Sequence, residues 1–184
     1  MNNHDRKKQA DRILYEFGLL KRIEEIGNAH IIGSYRMNMM VWNDLDIDIE
    51  NEAMSLKKLY ELSAFITNTF HPLWYEAKEE TDAAGKKVWF YGFETTITGE
   101  LWNIDLWFFD KAAISEAELY CDRIVQNTNQ AQKEIIMDIK SGLIERGIYT
   151  FEQYTSIDVY KAVIEHGVTN ITEFLIGDGK KTRG

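Results

Sequence analysis

The chain has 184 residues, 45% of them hydrophobic, with five Trp, nine Tyr and nine Phe, which supplies a core for one domain, or for a small domain with an appendage, and argues against disorder. The formal net charge is −9, and no basic run goes beyond Arg6-Lys7-Lys8 and Lys180-Lys181, which argues against a polynucleotide partner but not against a single nucleotide escorted by a divalent metal. Cys121 stands alone, so neither a disulfide framework nor a Cys-based zinc site is available.

The N-terminus, MNNHDRKKQAD, is polar and lacks the apolar core of a signal peptide, and the longest apolar runs fall far short of a membrane span. A cytoplasmic protein with no membrane partner is expected. Residues 5–26 read as a helix, with Ile13, Phe17, Leu20 and Ile23 on or near one face and Gly27-Asn28 as its stop. A short apolar strand, Ala29 to Ile32, breaks at Gly33, and a second strand spans 45–49. Ser55 caps the next helix, in which Leu56, Leu59, Ser63, Ile66 and Phe70 fall at helical spacing before His71-Pro72 ends it. "LWYEAKEE" and "KKVWFYGFET", separated by "TDAAG", read as a hairpin, and "ELWNIDLWFF" as a further strand with Trp102, Ile104, Leu106 and Phe108 on one face and Asn103, Asp105 and Trp107 on the other. Beyond residue 112 the pattern is helical. Ser115 to Glu118 fits a capping box, an apolar face runs from Ala117 to Leu143, Thr150 with Gln153 caps another helix, and "VTNITEFLIG" forms a last short one. The expected organisation is an α/β domain over 1–112 and a helical C-terminal segment, 113–184, packed on it.

"NDLDIDIE", residues 43–50, carries the chemistry. Leu45, Ile47 and Ile49 alternate with Asp44, Asp46, Asp48 and Glu50, the period of a half-buried strand whose other face is a row of carboxylates. Carboxylates two apart on one face sit roughly 6.6 Å from each other. They repel by about 0.6 kcal/mol in water and about 2.5 kcal/mol at an effective dielectric of about 20. No Lys or Arg is interleaved to relieve this. Divalent cations would.

Three features stand together: Gly33-Ser34 after a strand, Asp44-Leu45-Asp46 on the next strand, and Asp105 among apolar residues on a later one. Over residues 29–109 this resembles the nucleotidyltransferase superfamily, which includes DNA polymerase beta and the small antibiotic-modifying adenylyltransferases. The resemblance implies an α/β (α+β) fold, a mixed sheet flanked by helices and followed by the C-terminal helical segment. It implies transfer of a nucleoside monophosphate, AMP from ATP by family resemblance, to a hydroxyl of a small molecule or a protein, with release of pyrophosphate. Asp44, Asp46 and Asp105 match the metal-binding carboxylates for two magnesium ions, Asp105 also assisting deprotonation of the acceptor. Gly33 and Ser34 match the pair that grips the β- and γ-phosphates, and Arg36 stands where many small members carry an arginine that can touch phosphate. The chemistry suits these residue types. Magnesium takes hard oxygen ligands, a metal pair can activate the attacking oxygen and steady the leaving one, and the transfer needs positioning and neutralisation more than covalent catalysis.

The sequence departs from the family pattern where Met37 replaces the usual Gly after the arginine and where "MNMMVW" is unusually apolar. Asp48 opens a second register, Asp46-x-Asp48; Asp44/Asp46 is preferred because "NDLDI" resembles the family's "SDLDL". His4, His30, His71 and His166 show no metal-site spacing, and His30 reads as a sheet residue. Trp107 shares the face of Asp105, where it can pack or stack on a ring. Glu76 and Glu94 are open as a general base or as solvated strand residues. "GDGKKTRG" reads as a tail, not a phosphate loop. The reading from another class is a non-catalytic binding module that uses the same fold only as scaffold.

Overall fold

The protein is described here by a computed structural model covering residues 1–51, 53–81 and 85–178. The "TDAAG" turn lies mostly, and the Lys180-Lys181 tail wholly, outside the described residues. Five strands form one mixed sheet: β1 Asn28–Ile31, β2 Asp44–Glu50, β3 Trp74–Thr81, β4 Lys87–Ile97 and β5 Glu100–Phe109, in the spatial order β1-β2-β5-β4-β3. Only β2 and β5 run parallel. The intervening segment supplies a helix and the β3–β4 hairpin, the long crossover that parallel neighbours need.

Period-two alternation places Leu45, Ile47 and Ile49 of β2 and Trp102, Ile104, Leu106 and Phe108 of β5 on one face, all buried. That face packs under helices α1 (Asn3–Asp11), α2 (Leu19–Glu24) and α4 (Leu56–Phe70), through Ala10, Leu19, Ile23, Leu59, Leu62, Ile66 and Phe70. Each large apolar side chain removed from water contributes about 1.5–3 kcal/mol. Three of them on β2 therefore outweigh the repulsion among the carboxylates opposite, and the strand holds with its acidic stripe in place.

The N-terminal helix differs from the uninterrupted span expected over 5–26. It closes with a π turn, Arg12–Glu16, and breaks at Gly18, whose φ of 75° is left-handed, before α2 restarts. The break lets Ile13 and Leu14 both point inward and be buried. Ser55 does cap α4, accepting from the Lys58 amide, and His71 ends it in the left-handed region at φ 47°. α3 is a single turn and a half, Gly33–Met37, closed by Asn38. The apolar "MNMMVW" belongs mainly to the connection after it: Met37, Met39, Met40 and Val41 are buried, and Asn38 and Trp42 are exposed.

α5 starts at Lys111, earlier than the Ser115 box suggests, because the Asp110 carboxylate already accepts from the Ala113 amide. The apolar face from Ala117 to Leu143 is divided between two helices. α5 ends at Gln126, and α6 (Gln130–Glu145) begins with a capping box of Asn129 and Gln132. Thr150 and Gln153 form a turn instead of a cap, and the box that opens α7 (Ser156–His166) is Thr155 with Asp158. α8 follows at Ile171–Asp178.

Two compact units emerge, Met1–Cys121 and Asp122–Gly184, with the division inside α5. The second has its own apolar centre of Ile136, Ile139, Leu143, Val159, Val163 and Phe174, and it also buries Lys140 beside the rings of Tyr149 and Tyr160 at 5.8 and 5.6 Å. Among the described residues no helix is long and apolar enough to cross a membrane.

Candidate active site

The parallel register sets Asp46 directly opposite Asp105 and Asp44 opposite Asn103. On the sheet face away from the helical core, Asp44, Asp46 and Asp105 each present one carboxylate oxygen within 4.8 Å of the others. All three are partly buried. The two strands thus bring together residues that the sequence separates by about sixty positions. Hard oxygen donors in this number and spacing fit a magnesium-type ion.

Asn103 ties the group together. Its amide nitrogen donates to Asp44 Oδ1 at 2.9 Å. Burial pushes the Asp105 carboxyl above the ordinary value, the Asn103 amide draws it down, and the charge of Glu94 pushes it up again. Asn103 shares the face of Asp105 two residues away, which the alternation already indicated, but nothing in its type marks it as a partner of Asp44 on another strand.

Gly33 and Ser34 lie against the triad, where the chain leaves β1 and enters α3. Gly33 has φ 63°, and a Cβ there would run into Asp46 Oδ2. Glycine is required twice over, for its backbone and for the approach to the carboxylate. Gly33→Ala is expected to destabilise the fold by roughly 1–3 kcal/mol and to displace Asp46, read as a lower melting temperature together with loss of any metal-dependent stabilisation. Ser34 is buried, and its hydroxyl has no hydrogen-bond partner among the described residues. A buried hydroxyl left unpaired is unfavourable, and an incoming anionic oxygen would satisfy it. Gly33-Ser34, the pair expected to grip phosphate, is therefore adjacent to the carboxylates.

Arg36 follows on α3 and donates from Nη1 to Glu118 Oε1 at 3.0 Å. His30 is indeed a sheet residue. It pairs across to Asp48, and its Nδ1 stands 3.2 Å from the same Glu118 oxygen. Asp48 is 3% exposed, and burial, then Asp46, then Glu118 raise its pKa to about 7. It lies one row beyond the triad, opposite Trp107. Trp107 packs against Phe90 at 4.5 Å and stacks on Phe109 at 5.5 Å between ring centroids.

On the other side of Asp105 the face continues over β4 and β3. Glu94 is opposite Asn103, and Trp74 is opposite Glu94. Glu76 is held by Lys78, which also reaches Glu80. This flank is acidic, and Lys78 is already engaged by two glutamates.

No protein-family model matches the sequence, and no curated protein matches it. Solved structures do match. Over 88% of this chain and 48% of the other, it is similar to a cytoplasmic RNA terminal U-transferase, at 17% identity and a TM-score of 0.59. Over 95% of this chain and 58% of the other, it is similar to the polymerase core of TRAMP, an RNA surveillance complex, at 16% identity and a TM-score of 0.61. Cid1, an RNA terminal uridylyl transferase, matches at 14% identity and a TM-score of 0.60, over 91% of this chain and 48% of that one.

The fold is that of the nucleotidyltransferases.

The chain spans about half the length of the nucleotidyltransferase structures it matches, 48% and 58% for the first two. At these identities the likeness concerns the course of the backbone. The chemistry rests on the residues this chain places on that fold.

Proposed function

We propose that the protein is a metal-dependent nucleotidyltransferase that moves a nucleoside monophosphate from a nucleoside triphosphate to an acceptor hydroxyl. The observation that carries this reading is the convergence of Asp44, Asp46 and Asp105 from two parallel strands, next to a glycine whose backbone and close approach to Asp46 both exclude a side chain. Asp44, Asp46 and Asp105 would hold one or two magnesium ions, which supply charge neutralisation for the triphosphate and acidify the acceptor hydroxyl. Gly33 and Ser34 bind the β- and γ-phosphates through backbone N–H groups and the unpaired Ser34 hydroxyl. Asp105, on the acceptor side, takes the proton as the acceptor oxygen bonds to the α-phosphorus. The bond between the α-phosphorus and its bridging oxygen breaks, and pyrophosphate leaves with that oxygen. ATP is the proposed donor, on family resemblance.

The proposed acceptor is a small molecule or a protein. The flank of Asp105 carries Glu76, Glu80 and Glu94, and the chain has a net charge of −9, which repels a polyanion. A second reading, addition to an RNA 3′ hydroxyl, draws on the structural neighbours, three of which act on RNA or belong to an RNA surveillance complex.

Thermal unfolding with and without magnesium, with each of the four ribonucleoside triphosphates, tests the reading. A ligand at a hundred times its Kd stabilises the native state by about 2.7 kcal/mol, a shift of several degrees. The rise is expected to need both metal and one triphosphate, and to vanish in Asp46→Asn. A folded wild-type protein with no shift under any combination would point instead to a binding module that has retained only the scaffold. An oligoribonucleotide extended by the wild-type protein would overturn the small-molecule or protein acceptor.

A further inference from the structure

Glu118 has no part in the catalytic assignment. It lies on α5, in the unit Met1–Cys121, and α5 follows directly from β5, the strand of Asp105. Asp110 caps the first turn of α5, so the helix leaves the strand in one direction and carries Glu118 with it. One oxygen of Glu118 then accepts from two donors on other elements, Arg36 Nη1 at 3.0 Å and His30 Nδ1 at 3.2 Å. A carboxylate can only accept, so the second contact fixes the hydrogen of His30 on Nδ1.

The arrangement is only partly open to water. Arg36, Glu118 and His30 side chains are 31%, 30% and 26% exposed, whereas the ion pair of Lys57 and Glu61 on the surface of α4 is 86% and 53% exposed. The latter pair is a solvated surface contact, and the former restricts a long side chain in a shielded place. Glu118 also adds negative charge to a face that already carries Asp44, Asp46, Asp48 and Asp105. By itself that is unfavourable. The Arg36 guanidinium and the His30 N–H that Glu118 accepts from offset that charge.

We propose that Glu118 is a positioning residue: it holds the Arg36 guanidinium at the Gly33-Ser34 turn, so that the triphosphate meets a cation already in place. The proposal rests on the nucleotidyl-transfer reading above. An arginine otherwise loses most of its rotamer freedom when it engages a phosphate, and ordering it beforehand removes that loss from binding. Glu118 acts through Arg36 and needs no contact with the nucleotide.

Calorimetric titration of the full chain with magnesium and ATP, or whichever triphosphate stabilises the wild type most, tests this. Wild type, Arg36→Ala, Glu118→Ala, the double variant and Glu118→Gln are compared. Glu118→Ala is expected to weaken triphosphate binding about tenfold, the usual scale for loss of an orienting partner. The double variant is expected to bind no more weakly than Arg36→Ala alone, because the two residues form one unit. Glu118→Gln keeps the acceptor oxygen and is expected to restore most of the affinity. Should Glu118→Ala fail to fold, Glu118→Met keeps the stem without the acceptor and is read the same way. Wild-type affinity in Glu118→Ala, or losses that multiply in the double variant, would overturn the proposal while leaving the site reading intact. A wild-type protein that binds no triphosphate would remove the site reading itself.

Discussion

Replacing Asp105 by Asn is expected to lower nucleotidyl transfer by about a thousandfold without unfolding the protein. Removing one of the three carboxylates from the proposed metal site forfeits several kcal/mol of charge stabilisation, and each 1.4 kcal/mol is a factor of about ten in rate. The substitution is close to isosteric, and it removes a charge that burial and Glu94 already disfavour, so the melting temperature in metal-free buffer should hold or rise. The measurement is pyrophosphate release with whichever acceptor sustains the wild type, at a magnesium concentration that saturates it. Turnover within tenfold of the wild type would remove Asp105 from the machinery.

Asp48→Asn should stabilise the fold, and only at higher pH. Burial first, then the charges of Asp46 and Glu118, raise the Asp48 carboxyl from 3.8 to about 7 in the folded protein. Below about pH 4 the group is protonated folded and unfolded, and it contributes nothing to the difference. Between about 4 and 7 the unfolded chain releases its proton while the folded chain keeps it, so stability falls with rising pH by up to about 1.4 kcal/mol per pH unit. Above about 7 both forms are ionised, and the loss is complete. Asn carries no such charge. In metal-free buffer the variant should exceed the wild type by roughly 2–4 kcal/mol at pH 8 and converge with it near pH 4. Urea unfolding at the two pH values measures it. Equal stabilities at pH 8 would mean that Asp48 is relieved by a route other than protonation.

Asp48 also marks where sequence reading stops. Alternation alone placed it on the charged face of β2 with Asp44 and Asp46, and it is there. Its burial follows from tertiary surroundings, with His30 on one side and Trp107 on the other. The three triad residues were readable because each sits on a strand with unbroken alternation, where position dictates face. Arg36 and Glu118 are 82 residues apart, and no local pattern announces their meeting. The helical errors have a different cause. Cap motifs are short, and competing ones lay within five residues of each other: Asp110 against Ser115, and Thr155 against Thr150. Only geometry decided which side chain met the free amide. The helix expected over 5–26 runs through Gly18, where the structure breaks it and lets Ile13 and Leu14 both be buried.

The parallel pairing of β2 with β5 also sets the order in which the protein can come together. Asp44 and Asn103 are 59 residues apart, and helix α4 and the β3–β4 hairpin must be laid down between them. Contacts of that separation are paid for in chain entropy before they bring any gain, and they form late. A nascent chain that has extruded β2 but not β5 carries the acidic stripe on an unfinished edge, with two of its three carboxylates and no Asn103 to orient them. On the proposed reading, capture of a divalent ion should therefore await completion of the sheet, and a growing chain would pass through synthesis without seizing the ion prematurely.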